Sequence, residues 1–187
     1  MNVRGHNGLV RHETQLCVTA NRWGRRDAVR RYFTIVSRLG DGLFWYVLMA
    51  AIVLVRGIEH HWLDGLRASA HLAATGVVAL VLYRSLKRST RRRRPYNDDA
   101  RITALVPALD EFSFPSGHTL HAVAFTLVAL AHYPVLAWLL IPFSASVAVS
   151  RVVLGLHYPS DVLAATAIGT AIAGASLWLV HGMTFLA

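Results

Sequence analysis

The sequence predicts an all-α integral-membrane helical bundle of about five transmembrane helices, preceded by an N-terminal amphipathic helix at the interface. Three observations lead there. Of 187 residues, 55% are hydrophobic and 16% are charged, against about a quarter charged in an ordinary soluble domain. The apolar residues gather into five runs, 39–55, 68–83, 119–133, 134–149 and 162–180, and a bilayer crossing needs roughly 20 such residues. The last run holds no charged residue, whereas a soluble helix shows a polar stripe at helical spacing.

Residues 1–27 read as a basic flexible tail, with Gly5, Asn7, Gly8 and Gly24 and no periodicity. This segment lacks the apolar core of a cleavable signal peptide. Residues 28–187 read as one membrane-embedded domain. It opens with Val29, Tyr32, Phe33, Ile35, Val36 and Leu39 interleaved with Arg30, Arg31 and Arg38, a pattern that suits a helix lying on the membrane. Gly40-Asp41-Gly42 should break that helix before the first span. The first four runs are short for a full crossing, so flanking residues must complete them. Arg56 and Arg84 can snorkel, and Trp45, Tyr46, Tyr83, Tyr133 and Trp138 suit the interfacial belt. The polar stretch 85–115 is the longest between spans, and a loop of that length is usually functional or disordered. The third and fourth spans meet almost directly at Tyr133-Pro134, as in a helical hairpin. In the fifth, Ala165, Gly169 and Ala173 form a small-residue stripe that lets helices pack closely in lipid.

The net charge is +9, with a pI near 10.8. Eight arginines precede residue 40, and eight basic residues lie from Arg84 to Arg101. Because both clusters abut apolar runs, they point to anionic membrane lipids rather than to nucleic acid. Cys17 is the sole cysteine, which excludes an intramolecular disulfide and a thiolate metal site.

Three polar clusters stand at ends of the runs: Lys87-x6-Arg94-Pro95, Pro115-Ser116-Gly117-His118 and Ser150-Arg151-x5-His157-x3-Asp161. Counting crossings, the end of the second span, the start of the third, the end of the fourth and the start of the fifth share one membrane face. The clusters therefore converge, and their chemistry suits phosphoryl transfer. Lys87, Arg94 and Arg151 supply cations for phosphate oxygens. If the second helix continues, Lys87, Arg91 and Arg94 lie on one face at i, i+4 and i+7. Ser116 and Gly117 offer a hydroxyl and backbone N–H groups at a helix start, where an anion binds well, and the glycine permits close approach. Asp161, four residues after His157, can hold one ring nitrogen and leave the other to attack. His118 on the opposite wall can protonate the leaving oxygen.

Taken together, these clusters resemble the three-part signature of the type-2 phosphatidic acid phosphatase superfamily, matched at every signature position over 87–161. The resemblance implies a bundle of five or six spans and a covalent phosphohistidine on His157. It implies Asp161 as the orienting partner, His118 as general acid, and Lys87, Arg94, Ser116, Gly117 and Arg151 as phosphate ligands. No metal and no cofactor is implied. The substrate would be a phosphorylated lipid, such as phosphatidic acid, phosphatidylglycerol phosphate or undecaprenyl pyrophosphate, in a multi-pass protein of the bacterial inner membrane. Many relatives have three spans before the first motif, where this sequence shows two.

Other polar residues have plainer readings. His60 and His61 fall in a loop on the far face, and His71, His132 and His181 read as packed or interfacial. His121, one turn from His118, could line the pocket. Asp98, Asp99, Asp110 and Glu111 read as a solvated loop or as counter-charges to arginines rather than as metal ligands. The positive-inside rule places the pocket on the cytoplasmic side, since the far face holds only Arg56 and Arg67; family habit points to the periplasm. Two other function classes stay open. One is a vanadate-dependent haloperoxidase, which the apolar spans disfavour, and the other is a non-catalytic phospholipid-binding or transport protein.

Overall fold

Apolar runs become helices in this chain, and Gly42, Pro95, Ser116, Pro134 and Gly155 mark their ends or the turns between them, while Pro142 is accommodated inside a helix. The computed structural model describes the backbone of residues 3–184 and the side chains of residues 10–180. Its helices are α1 (Val3–Gly24), α2 (Asp27–Gly40), α3 (Leu43–Ile58), α4 (Trp62–Thr90), α5 (Pro95–Asp98), α6 (Gly117–His132), α7 (Ala137–Val153) and α8 (Pro159–Thr184). A 3₁₀ turn, Pro134–Leu136, joins α6 to α7. Among the described residues there is no strand.

Among the described residues three segments are long and apolar enough to cross a membrane: Trp62–Asp98, Pro134–Val153 and Pro159–Val180. The pair α2 and α3 would make a fourth if it is one span bent by 56°. The bend falls at Asp41-Gly42, where Gly42 has φ +132°, a conformation open chiefly to glycine. The remaining expected crossing is α6. Its 16 residues reach about 24 Å at 1.5 Å per residue, short of the roughly 30 Å hydrocarbon core. It is nonetheless the centre of the bundle, packed by α4, α7 and α8, with Leu120, Ala122, Ala124, Val128 and Ala129 fully buried. The small-residue stripe of α8 faces it. A Cβ on Gly169 would stand 2.7 Å from the Leu120 carbonyl, and Ala165 and Ala173, one turn either side, are fully buried.

The N-terminal segment differs from the sequence reading. In place of a flexible tail over 1–27, residues 3–24 form α1; residues 1 and 2, and the side chain of His181, lie outside the described residues. Cys17, Val18 and Asn21 make one fully buried face, with Cys17 and Val18 against Ile102 and Tyr158. Asn21 accepts from the Thr103 N–H at 3.0 Å and donates to the Thr103 and Val153 carbonyls at 2.9 and 3.2 Å. These partners are 82 and 132 positions away, so periodicity within the segment does not reveal them. In α2, likewise, Phe33 and Val36 are buried while Tyr32 and Ile35 are exposed. Part of the apolar face read as membrane-bound packs on protein instead, chiefly α7.

The turn after α7 depends on Gly155, which has φ +78°. A Cβ there would meet the Thr103 carbonyl at 2.7 Å and Asn21 Nδ2 at 2.9 Å. Gly155→Ala should therefore lower stability by about 1–3 kcal/mol through strain and clash, read as a lower melting midpoint in detergent. An unchanged midpoint would contradict this account of the turn.

Candidate active site

The polar ends of α4, α6, α7 and α8 meet at a cavity of about 750 Å³. Lys87, Arg94, Asp110, His118, Arg151 and His157 line one end, and Trp45, Met49, Val77, Leu80, Tyr83 and Phe125 carry an apolar wall away from it. Gly117 and His121 also border it. Two residues expected at the site do not. Ser116 is fully buried and its hydroxyl bonds Thr119 Oγ1 at 2.9 Å and accepts from the Thr119 N–H at 3.5 Å, capping α6. Asp161 lies behind His157.

The cations arrive by a route different from the expected continuous helix. Helix α4 ends at Thr90, and Arg91 has a left-handed φ of +47°, so Arg91 and Arg94 do not extend the Lys87 face. Pro95 biases the preceding residue towards extended backbone, and Arg94 has φ −83° and ψ 153°. That stretch turns its side chain inward, where it is 1% exposed. Its Nη2 donates to Asp110 Oδ1 at 2.7 Å, its Nε to the Asp110 carbonyl at 3.1 Å and its Nη1 to the Leu156 carbonyl at 2.8 Å. Lys87 Nζ donates to the same Asp110 Oδ1 at 2.5 Å and to the Phe112 carbonyl at 2.8 Å. Burial pushes the Asp110 carboxyl up, but the hydrogen bond and charge of Lys87, with Arg94, outweigh it and hold the group below its ordinary value. Buried Arg151 bonds Ser37 Oγ, while its Nε has no partner among the described residues. An unpaired donor beside the cavity is a ready contact for an anion.

His157 is held by the turn between α7 and α8. Its Nδ1 stands 2.6 Å from the Ser113 carbonyl, which fixes the proton there because a carbonyl can only accept. Nε2 is then the acceptor, 3.3 Å from Arg94 Nη1. Burial and the neighbouring charges of Arg151, Arg94 and Lys87 push the imidazole well below its ordinary 6.5. The result is a neutral ring with a nitrogen lone pair at the cationic end of the cavity.

Asp161 was expected to hold the ring directly. Its Oδ2 is 3.7 Å from Nδ1, beyond a hydrogen bond, because both oxygens are otherwise engaged. Oδ2 accepts the Tyr158 N–H at 2.8 Å, and Oδ1 accepts Arg92 Nη1 at 2.7 Å. Its influence on His157 is electrostatic and through the turn they share.

Several residues at the site were not anticipated in these positions. His118 Nε2 is bonded to Asp41 Oδ1, in the glycine-flanked break read only as a helix breaker. Ser113 contributes a backbone carbonyl, which no side-chain pattern can signal. Asp110, read as a counter-charge to arginines, bridges two cations at once. His121, by contrast, borders the cavity as its place one turn from His118 suggested, with Nδ1 2.9 Å from the Gly117 carbonyl and Nε2 3.2 Å from that of Gly76.

Fold and site define a membrane-embedded helical bundle with a buried neutral imidazole among the cations of a cavity that also has an apolar wall. A family model described as the PAP2 superfamily matches residues 67–184, and the chain belongs to that superfamily. It is 34% identical over 121 residues to decaprenylphosphoryl-5-phosphoribose phosphatase of Mycolicibacterium smegmatis, covering 64% of this chain and 61% of that protein. It is 33% identical over 136 residues to undecaprenyl-diphosphatase of Sulfolobus acidocaldarius, covering 72% and 63%. The chain thus spans a little under two thirds of each relative's length. The fold is that of the transmembrane PAP2-type phosphatidylglycerolphosphate phosphatase of Bacillus subtilis, with a TM-score of 0.74 at 23% identity, covering 94% of this chain and 88% of that one. With these neighbours the apolar helices make it a multi-pass membrane protein.

The neutral ring is directly measurable. In ¹⁵N NMR of histidine-labelled protein, assigned with a His157→Gln variant, the His157 signals should keep the Nδ1–H neutral pattern down to about pH 6, below the ordinary histidine midpoint. The depressed value means that protonation begins only at still lower pH. An imidazolium pattern at pH 6 would contradict the geometry described.

Proposed function

We propose that the protein hydrolyses a lipid phosphate or diphosphate through a phosphohistidine on His157, without a metal ion. The observation that carries the reading is the Nε2 lone pair of a neutral, buried His157 at the end of the cavity where Lys87, Arg94 and Arg151 meet. Nε2 attacks phosphorus as the bond to the leaving oxygen breaks, and His118, paired with Asp41, gives that oxygen its proton. Water then attacks the phosphohistidine, His118 takes the water's proton, and phosphate leaves with Nε2 restored. The cations, with Gly117 at the α6 N-terminus, offset charge on the phosphoryl oxygens, the dominant need in such transfer, while Ser116 serves as the buried cap of that helix. Asp161 offsets the imidazolium charge that phosphorylation creates.

The lipid part rests on the apolar wall running from the cations past Tyr83, Leu80 and Trp45. It rests also on the relatives, whose names state phosphorylated polyprenyl substrates. His157→Ala should abolish phosphate release from a panel of phosphatidic acid, phosphatidylglycerol phosphate and undecaprenyl diphosphate, while the variant still inserts and melts normally. EDTA should leave the wild-type rate unchanged. Retained turnover in His157→Ala, or loss of activity with the chelator, would reject the mechanism.

Loop charge supports a cytoplasmic position for the cavity, since sixteen basic residues precede Arg151 on the α1 and cavity side against two on the other. In intact cells, an impermeant maleimide should label His60→Cys and not Ala100→Cys. The reverse pattern would place the cavity outside.

A further inference from the structure

Behind His157, on the side away from the cavity, an ionic chain links the N-terminal helix to the histidine's turn. Arg92 sits at its centre. Its Nη1 donates to Asp161 Oδ1 and to Ser160 Oγ, both at 2.7 Å. Its Nη2 donates to Glu13 Oε2 at 2.9 Å. Glu13 Oε1 in turn accepts the Ser160 N–H at 2.8 Å. The guanidinium also lies over the Tyr158 ring, 4.1 Å from its centroid. Arg92 therefore grips three of the four residues that follow His157, and Glu13 of α1 holds the same turn from the other side.

Two facts make this more than a surface ion pair. Asp161 is fully buried, and a buried carboxylate without a cation is costly. Arg92 is its charged partner, since the Tyr158 N–H on the other oxygen is neutral. And Arg92 does not border the cavity, where Arg84, Lys87, Arg88, Arg94 and Arg151 are the basic residues. A group placed there cannot bind the substrate's phosphate, yet it sets the charge and position of the carboxylate 3.7 Å from His157 Nδ1.

We propose that Arg92 is a positioning residue for the His157 turn, holding Asp161 as the counter-charge to the ring, and that Glu13 of α1 locks Arg92 in place. This assignment rests on the phosphohistidine reading above. It gives α1, outside the three polar clusters, a part in the rate of the chemical step and none in substrate binding.

The test is steady-state kinetics in detergent with dioctanoyl phosphatidic acid and undecaprenyl diphosphate, alongside melting midpoints. Arg92→Gln keeps hydrogen-bonding capacity and removes the charge. It should lower kcat by roughly 10²-fold, the scale of a misplaced catalytic group, with KM within about twofold of wild type. Arg92→Lys, which keeps the charge, should recover at least about tenfold of that loss. Glu13→Gln should lower kcat by a smaller factor, and adding it to Arg92→Gln should cost nothing further, because the amide oxygen can still accept the Ser160 N–H and only the charge on Arg92 is lost. A kcat for Arg92→Gln within about twofold of wild type would overturn the proposal. So would a raised KM with kcat unchanged, or equal rates for Arg92→Lys and Arg92→Gln. His157→Ala, run in parallel, separates the two claims. If it is inactive while Arg92→Gln is unimpaired, only the positioning role fails; if it is active, the phosphohistidine reading falls and this inference with it.

Discussion

Three cations, Lys87, Arg94 and Arg151, are drawn into one cavity end where each is at most 6% exposed, and their mutual repulsion in a poorly solvated site must be offset. Much of the surrounding structure serves that need. Asp110 takes hydrogen bonds from Lys87 and Arg94 with a single oxygen, and main-chain carbonyls at Asp110, Phe112 and Leu156 absorb further donors. The same positive field keeps the His157 ring neutral, since an imidazolium beside three cations would be a fourth. A site that repels the protonated ring while attracting an anion favours an unprotonated Nε2 before the anion arrives.

Two layers of charge follow from this arrangement, on opposite sides of the His157 ring. Facing the cavity are the cations that would neutralise phosphoryl oxygens. Facing away are Asp161, Arg92 and Glu13, alternating in sign. The ring lies where a transient positive charge on the imidazole meets a carboxylate behind it. Backbone geometry fixes the alignment. The Ser113 carbonyl sets the tautomer, Gly155 allows the tight turn, and Pro95 turns Arg94 inward.

The order of the apolar helices from α3 onward, the convergence of four helix ends and the cation set were legible in the sequence, because each follows from runs, counting and residue type. Lys87, Arg94, Arg151, His118 and His157 all border the cavity as the spacing suggested. Most of what sequence missed shares one physical character: pairing between residues far apart along the chain. Asn21 bonds Thr103 and Val153, Glu13 meets Ser160 and Arg92, and Asp41 meets His118 across 77 positions. No local periodicity encodes these. The i to i+4 spacing of His157 and Asp161 suggested a direct bond that the backbone instead satisfies, since the start of α8 and Arg92 take the carboxylate first. The condition that would put Arg91 and Arg94 on the Lys87 face, a continued helix, is not met, because Arg91 adopts a left-handed conformation that its residue type does not announce.

The most direct test of the central claim is capture of the covalent intermediate. Acid-sparing rapid quench of a single turnover with ³²P-labelled lipid phosphate should give a base-stable, acid-labile phosphoenzyme, mapping to the peptide that contains His157. The label should be absent from His157→Ala and should persist longer in His118→Ala, where the second proton transfer is impaired. Turnover without any label on that peptide, or with label on another residue, would contradict the account.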